Sequence, residues 1–233
     1  KTVTIGAITG LLETPPAEIQ GNIIFDSINL SEISQRKMQA IRGKRISLIH
    51  QDPIASLNPS LTVGYQLCEM LQVHQPGLSQ SNAKKIAIDL MEKVKIPSAK
   101  ERINSYPFEF SGGMCQRILI ALAIAIEPDI LIADEPTTAL DVTVQRQIMD
   151  LLRELKQYSN MSMILITHDI ALASQNTTEM LVMYAGKIFE KGHTEKIISE
   201  PNHPYTQGLI ASIPSNQKKG EKLYVIEESK KNW

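Results

Sequence analysis

The stretch from Asp129 to Pro136, "DILIADEP", constrains the fold of this chain more than any other. Its apolar residues follow one another without alternation and end in two acids, which is the pattern of a parallel strand buried on both faces. The stretch "RISLIHQDP" predicts a buried strand ending at Gln51, and "MSMILITHD" predicts another buried strand. The stretch "VQRQIMDLLRELKQY" predicts an amphipathic helix between the last two strands. Strands that alternate with helices predict an α/β fold with a parallel sheet.

Shorter elements flank this predicted sheet. Residues 1–12 have the pattern of a helix that ends at "ETPP", because proline cannot continue the hydrogen-bond ladder. The stretch "EIQGNIIFDSINL" predicts a strand or a hairpin, and Ser34 is expected to cap a short helix that Gly43 closes. The stretch "EMLVMYAGKIFEKG" predicts a hairpin that turns at Ala185 and Gly186.

The residues from 61 to 126 differ in character from those around them. Their apolar positions recur at helical spacing, with breaks at "HQPGLS", "KIPSA" and "SYPFEFSGG". We therefore expect a core formed by residues 1–60 and 127–194, a helical subdomain of residues 61–126 inserted into it, and a C-terminal extension of residues 195–233.

Charge and cysteine content exclude several classes of protein. The chain has 24 Lys and Arg against 25 Asp and Glu, so its net charge of −1 lacks the basic excess of a nucleic-acid binder. Cys68 and Cys115 are its only cysteines, and they do not form a pair spaced for a metal or redox site. The most apolar run contains Glu127, Pro128 and Asp129, which argues against a membrane-spanning helix.

Candidate catalytic residues follow two of the predicted strands. Asp134 and Glu135 end the first strand, where an open α/β sheet binds its ligands. In a nucleotide hydrolase the first acid would hold Mg²⁺ and the second would polarise the attacking water. His168 ends the next strand, where its imidazole could contact a γ-phosphate. The alternatives are that the two acids are the first polar turn of a loop and that the histidine is packed or solvated.

Three further positions are ambiguous when each is taken alone. The turn Ser111-Gly112-Gly113 enters the helix "MCQRILIALAIAI", so its free backbone N–H groups and the Ser111 hydroxyl could bind an anion. The alternative is that it is only the turn that starts a helix. Gln51 alone is an ordinary surface glutamine, and Asp141 alone is an N-cap for the following helix.

Together, in this order, these segments resemble the ATP-binding subunits of ABC transporters. "HQDP" matches the Q-loop of that family, "FSGGMCQR" the signature, "ILIADEP" the Walker B strand, "TTALD" the D-loop and "ITHD" the switch histidine. The stretches "QDPIASLNPSLTVG" and "EPNHPYTQGLIASIP" are similar to the narrower group of oligopeptide, dipeptide and nickel importers. The signature departs from the common pattern at Phe110 for Leu, Met114 for Gln and Cys115 for Arg.

The resemblance implies a RecA-like P-loop NTPase core with an inserted ABC-type helical subdomain, and ATP and Mg²⁺ as ligands. A Walker A loop reads G-x-x-x-x-G-K-[ST], so Lys1 and Thr2 match its last two residues, and the chain is expected to begin inside that loop. Lys1 would then contact the β- and γ-phosphates, and Glu135 would be the general base with His168 beside the γ-phosphate. Three residues are implied to act toward Mg²⁺: Thr2, Gln51 and Asp134. Four are implied to act across a dimer interface, namely Ser111, Gly112, Gly113 and Asp141, and Met114 of the same signature is implied to bind the nucleotide.

The same resemblance implies partners and a location. The chain would be an ATPase that pairs with a second ABC ATPase subunit, identical or a sister, and binds permease subunits at the cytoplasmic face of the inner (plasma) membrane. The expected cargo is peptides or nickel and other metal complexes, with no nucleic-acid partner. No iron–sulfur cluster is expected, because no cysteine follows Cys115. The alternatives are a soluble ABC ATPase of DNA repair or translation, and a non-catalytic fragment or binding module, because a complete Walker A loop is missing.

Overall fold

A computed structural model describes residues 1–13 and 15–213 of the chain. These residues divide into two compact units, one of Thr2–Ile166 and the other of Lys1 with the described residues from Thr167 onward. The proposed division into a core, a helical subdomain and an extension remains a prediction.

The larger unit opens with short elements. They are α1 (Thr2–Ile8), β1 (Ile24–Phe25), β2 (Ile28–Asn29), α2 (Gln35–Ile41), β3 (Ile46–Ile49) and α3 (Pro53–Ser56). Helices follow: α4 (Val63–His74), α5 (Gln80–Lys93), α6 (Ala99–Arg102), a 3₁₀ turn (Pro107–Glu109) and α7 (Gly112–Ile124). The unit ends with β4 (Ile130–Asp134), α8 (Val142–Gln157) and β5 (Ser162–Ile166). The helices predicted between residues 61 and 126 are therefore confirmed.

The smaller unit is built on an antiparallel hairpin. Its elements are α9 (Ile170–Asn176), β6 (Glu179–Tyr184), β7 (Lys187–His193), α10 (Thr194–Ser199) and α11 (Pro204–Ala211). The hairpin turns at Ala185 and Gly186, both in the left-handed region with φ values of 46° and 80°, as predicted. Sequence analysis did not predict α9, which Asp169 caps by accepting hydrogen bonds from the N–H groups of Ala171 and Leu172.

The parallel sheet predicted from the sequence is confirmed. Its order is β3-β4-β5, so β4 is the central strand, and Ile132 on that strand pairs with Leu48 and Ile164 on either side. The last four residues of β4 are buried, as its unbroken apolar sequence predicts. Its Ile132 joins a cluster that packs α1 and α2 against the sheet: Ile5, Leu30, Met38, Ile41, Ile46 and Ile166.

Two strand predictions need correction. The strand predicted to end at Gln51 ends at Ile49, because Asp52 begins α3 by capping its first N–H groups. The strand β5 was predicted to be buried, but Ser162 and Ile164 are exposed, with 41% of Ile164 accessible to solvent. The reason is its place in the sheet: β5 pairs with β4 on one side, and no strand among the described residues pairs with its other edge.

The first helix is shorter than its sequence pattern predicts. It ends at Ile8 rather than Leu12, because Gly10 adopts a φ of +63°. The N–H of Leu11 then bonds to the carbonyl of Gly6 at 2.8 Å and that of Gly10 to the carbonyl of Ala7 at 3.2 Å. These two bonds form a Schellman motif, which satisfies the last carbonyls and stops the helix.

The other short elements of the larger unit follow their predictions. The β1–β2 hairpin turns on Asp26 and Ser27, whose φ values of 49° and 63° are those of a two-residue turn. Ser34 caps α2 by accepting a hydrogen bond from the N–H of Lys37, and Gly43 follows that helix with a φ of 76°. Within the part of the chain that the structure describes, no helix is long and apolar enough to cross a membrane.

Candidate functional site

Asp134 is the last residue of β4 and the most deeply buried of the predicted site residues. Its side chain is 4% exposed, and its Oδ1 atom has no hydrogen-bond partner among the described residues. An unpaired carboxylate oxygen in such a place is unfavourable, and buried polar atoms nearly always have a partner. A hard divalent cation takes oxygen ligands of this kind, so Asp134 fits the Mg²⁺ ligand that the sequence predicts.

Glu135 follows β4 directly, and its backbone conformation is not that of a strand. Its φ of 48° lies in the left-handed region, and its N–H donates to the carbonyl of Ile166 at 2.9 Å. The Oε2 atom accepts hydrogen bonds from Gln51 Nε2 at 3.0 Å and from Thr138 Oγ1 at 2.8 Å. The structure thus brings together Gln51 and Glu135, two residues that lie far apart in the sequence. Both donors hold the carboxylate at the carboxyl end of the sheet.

Thr138 was missed by the sequence analysis. It lies in the turn that follows Glu135, and its N–H also donates to the Glu135 carbonyl at 3.1 Å. The signal that points to it is local, since a hydroxyl three residues after a carboxylate in a turn can reach back to it.

Ser111 begins α7, a helix of 13 residues. Its Oγ atom accepts a hydrogen bond from the N–H of Met114 at 3.4 Å, which is the N-cap arrangement. The first N–H groups of a helix have no partner within it, so those of Gly112 and Gly113 point away from α7. Ser111 is exposed and both glycines are partly exposed, so this turn presents N–H groups at the positive end of a helix.

The residues on either side of that turn are held by Arg102, the last residue of α6. Its Nη1 atom donates to Met114 Sδ at 3.4 Å, and its guanidinium carbon lies 5.6 Å from the centre of the Phe110 ring. Phe110 is 8% exposed, so the aromatic replacement in the signature is accommodated in the core. Cys115 is also buried, where its thiol donates to the carbonyl of Pro107 at 3.4 Å.

Asp141 is the N-cap of α8, as one interpretation of the sequence predicted. Its Oδ1 atom accepts a hydrogen bond from the N–H of Val144 at 3.0 Å, and its side chain is exposed. The beginning of α8 contacts the beginning of α7, because Leu140 and Val144 lie against Gly112 and Gly113. The two turns that carry Ser111 and Asp141 are thus neighbours within the larger unit.

The remaining predicted residues lie at the start of the chain and after β5. Thr2 is the exposed first residue of α1. In the smaller unit, Lys1 Nζ donates to the carbonyl of Thr167 at 2.6 Å. His168 follows Thr167 in that unit and is exposed. The roles of these three residues toward nucleotide and Mg²⁺ remain predictions.

Comparison with known proteins supports the resemblance seen in the motifs. Residues 1–138 match the family model described as ABC transporter, and residues 189–232 match the one described as oligopeptide/dipeptide transporter, C-terminal region. The chain is 47% identical over 222 residues to the oligopeptide transport ATP-binding protein OppD of Bacillus subtilis, and 45% identical over 223 residues to the dipeptide transport ATP-binding protein DppD of Escherichia coli. These alignments cover 95% and 96% of this chain but only 62% of OppD and 68% of DppD.

Solved structures agree with the fold. The chain superposes on the ATP-binding cassette MJ0796, in a dimeric post-hydrolysis state bound to ADP and Pi, with a TM-score of 0.71 and 26% identity. That comparison covers 83% of this chain and 80% of the cassette. The structure of cbiO1 from Clostridium perfringens gives a TM-score of 0.69 at 24% identity, over 85% of this chain and 74% of cbiO1, which supports the fold alone. The α/β fold of a P-loop NTPase is confirmed, and the chain belongs to the ABC transporter ATPase family, in its oligopeptide/dipeptide group.

Proposed function

We propose that this chain is the ATP-hydrolysing subunit that energises the import of peptides through an ABC permease. Family membership supports the ATPase assignment, and the match of residues 189–232 supports the peptide group. Peptides are favoured over nickel or other metal complexes because the matched relatives are named for oligopeptide and dipeptide transport.

The observation that carries the proposal is the pair of acids at the end of β4. Asp134 is buried with an unpartnered oxygen, whereas Glu135 is held by Gln51 and Thr138 at the mouth of the sheet. Their environments differ, so the two carboxylates suit different tasks. Glu135 acts as the general base that takes a proton from the attacking water, a role worth about 10²–10⁴ in rate.

Asp134 would hold Mg²⁺ together with Thr2 and Gln51. When bound, Mg²⁺ neutralises charge that develops on the β- and γ-phosphates of ATP. Gln51 then has two roles. Its amide holds the Glu135 carboxylate, and its contact with Mg²⁺ would couple binding of the ion to the helices that follow it in the chain. Lys1 binds the β- and γ-phosphates, and His168 contacts the γ-phosphate beside the attacking water.

A second ATPase subunit, identical or a sister, completes the site. The N–H groups at the start of α7 form a helix N-terminus that binds the γ-phosphate held by the partner. The residues that act across this interface are Ser111, Gly112, Gly113 and Asp141, and Met114 binds the nucleotide beside them. The permease binds the helices between residues 61 and 126, which keeps the subunit at the cytoplasmic face of the inner (plasma) membrane. Closure on ATP and release after hydrolysis follow from different affinities for the two states.

Calorimetric titration with Mg²⁺-ATP tests the proposal. It is carried out on this chain and on an extended chain in which a complete G-x-x-x-x-G-K-T loop and its preceding strands are added before Val3. We expect the extended chain to bind and hydrolyse Mg²⁺-ATP, because the added loop supplies the N–H groups that hold the phosphates. If the extended chain neither binds nor hydrolyses ATP, the proposed function is wrong and a binding module becomes the better interpretation.

A pair of variants ties the binding to the end of β4. Asp134→Asn in the extended chain is expected to weaken the Mg²⁺-dependent part of ATP binding by about tenfold or more. Asp129→Asn is the matched control, since Asp129 precedes the same strand at its other end and pairs there with Arg45 at 2.6 Å. Equal effects of the two substitutions would contradict the assignment of Asp134 to the ion.

A further inference from the structure

The N-terminal ends of α7 and α8 touch at Gly113 and Val144. A Cβ atom placed on Gly113 would lie 2.7 Å from Val144 Cγ1, a separation that real Cβ atoms essentially never show. A Cβ atom on Gly112 would lie 3.8 Å from Leu140 Cδ2, which is an ordinary contact. Gly113 does not have a positive φ, so the requirement for glycine here is one of space. Val144 alone therefore excludes a side chain at position 113, whatever ligand the turn binds.

Val144 contacts both turns at once. Its N–H donates to Asp141 Oδ1 at 3.0 Å, and its side chain lies against Gly113, next to the Ser111 cap of α7. Interiors of proteins are packed tightly enough that a contact of this kind transmits a displacement from one element to the next. A shift of one turn is thus passed to the other most directly through the contact of Val144 with Gly113.

We propose that Val144 is a positioning residue that fixes the separation between the Ser111 turn and the Asp141 turn. The two turns then meet the nucleotide of the partner subunit as one rigid surface, rather than as two independent loops. This inference rests on the proposed function, in which both turns act across a dimer interface. On this inference, the second glycine of the signature, Gly113, must lack a side chain because Val144 of the same subunit occupies the space.

The geometry provides a compensating substitution. Val144 Cβ lies 3.8 Å from the Cβ position of residue 113, so an alanine at both sites would be in ordinary contact. Gly113→Ala in the extended chain is expected to lower kcat about tenfold through overpacking, whereas Val144→Ala alone is expected to lower it only about threefold, by leaving a gap. The double variant is expected to recover to within about twofold of Val144→Ala. Gly113→Ala combined with Val144→Thr is the matched control, since threonine keeps both γ atoms and should give no recovery.

Three measurements separate positioning from simple packing. Calorimetric affinity for Mg²⁺-ATP should be unchanged in Val144→Ala, because Val144 has no contact with nucleotide in the proposed site, whereas kcat should fall in Gly113→Ala and recover in the double variant. Failure of Val144→Ala to rescue kcat in an active parent would overturn the inference. Rescue of the thermal midpoint without rescue of kcat would overturn it as well, because Val144 would then only pack. An extended chain with no hydrolysis at all would overturn the proposed function, and this inference with it.

Discussion

Glu190 is expected to fasten the His-Pro-Tyr-Thr segment to the hairpin of the smaller unit. On β7, its Oε1 atom accepts a hydrogen bond from the N–H of Asn202 at 2.9 Å, and its Oε2 atom accepts one from the N–H of His203 at 3.2 Å. His203 in turn caps α11, with Nδ1 accepting from the N–H of Tyr205 at 3.1 Å, and its ring stacks on Phe189. One carboxylate thus orients the loop from which α11 begins.

The magnitude follows from these two bonds. A hydrogen bond to a charged group contributes about 1.5–3 kcal/mol, but Glu190 is only half-buried, and solvent reduces the effect. Glu190→Ala should therefore lower the free energy of unfolding by about 1–2 kcal/mol in total. Glu190→Gln should lower it by less, because an amide oxygen can still accept one of the bonds. Urea unfolding followed by circular dichroism measures both.

The dependence on pH provides the decisive comparison. Burial acts to raise the pKa of Glu190, but hydrogen bonds, among them those from the N–H groups of Asn202 and His203, lower it below its ordinary value of 4.5. A lowered pKa in the folded state gives stability that is fully present above the unfolded value and is lost as the pH falls through the folded value. The difference between wild type and Glu190→Gln should be constant above about pH 5.5 and shrink below 4.5. A difference that stays the same down to about pH 3, or grows, would refute the reasoning.

Three further predictions concern the larger unit. Gly64→Ala should destabilise the chain by about 1–3 kcal/mol, because the Cβ atom of the alanine would meet the carbonyl oxygen of Ile103 and lie 2.6 Å from Ile103 Cγ1. This clash outweighs the preference of alanine for helices, so a raised thermal midpoint would contradict the prediction. Glu135→Gln in the extended chain should lower hydrolysis at least about 100-fold while calorimetry still detects ATP binding, and normal turnover would exclude a general base. Burial raises the pKa of both thiols, so Cys68 and Cys115 should resist alkylation in the native chain and react in denaturant, as a timed mass-spectrometric assay would reveal.

The sequence predicted the parts of the fold that local patterns determine. The unbroken apolar run of β4 identified the central strand, and the turn chemistry of Ala185 and Gly186 identified the hairpin. The end of α1 was misplaced because Gly10 has two possible roles, inside a helix or at its end, and only the backbone bonds of the native chain decide between them. The exposure of β5 could not be predicted, since its place at the edge of the sheet depends on the order of strands.

The candidate site was predictable in its residues but only partly in its contacts. Motif order pointed to Gln51 and Glu135, and the structure shows that their side chains are bonded. Thr138 was not singled out although it lies within the D-loop motif, because its role depends on which way the Glu135 carboxylate turns. The role of Val144 could not be predicted from the sequence. Its contact with Gly113 depends on how α7 and α8 pack, and no local sequence pattern shows this.

The exposed edge of β5 makes this chain a template for strand addition. Its backbone carries N–H and C=O groups on the side away from β4, and no strand among residues 1–13 and 15–213 pairs with them. Such an edge accepts any extended segment of suitable register, whether from the same polypeptide, from a synthetic peptide or from a second copy. What covers β5 therefore decides whether this edge is open to a second chain.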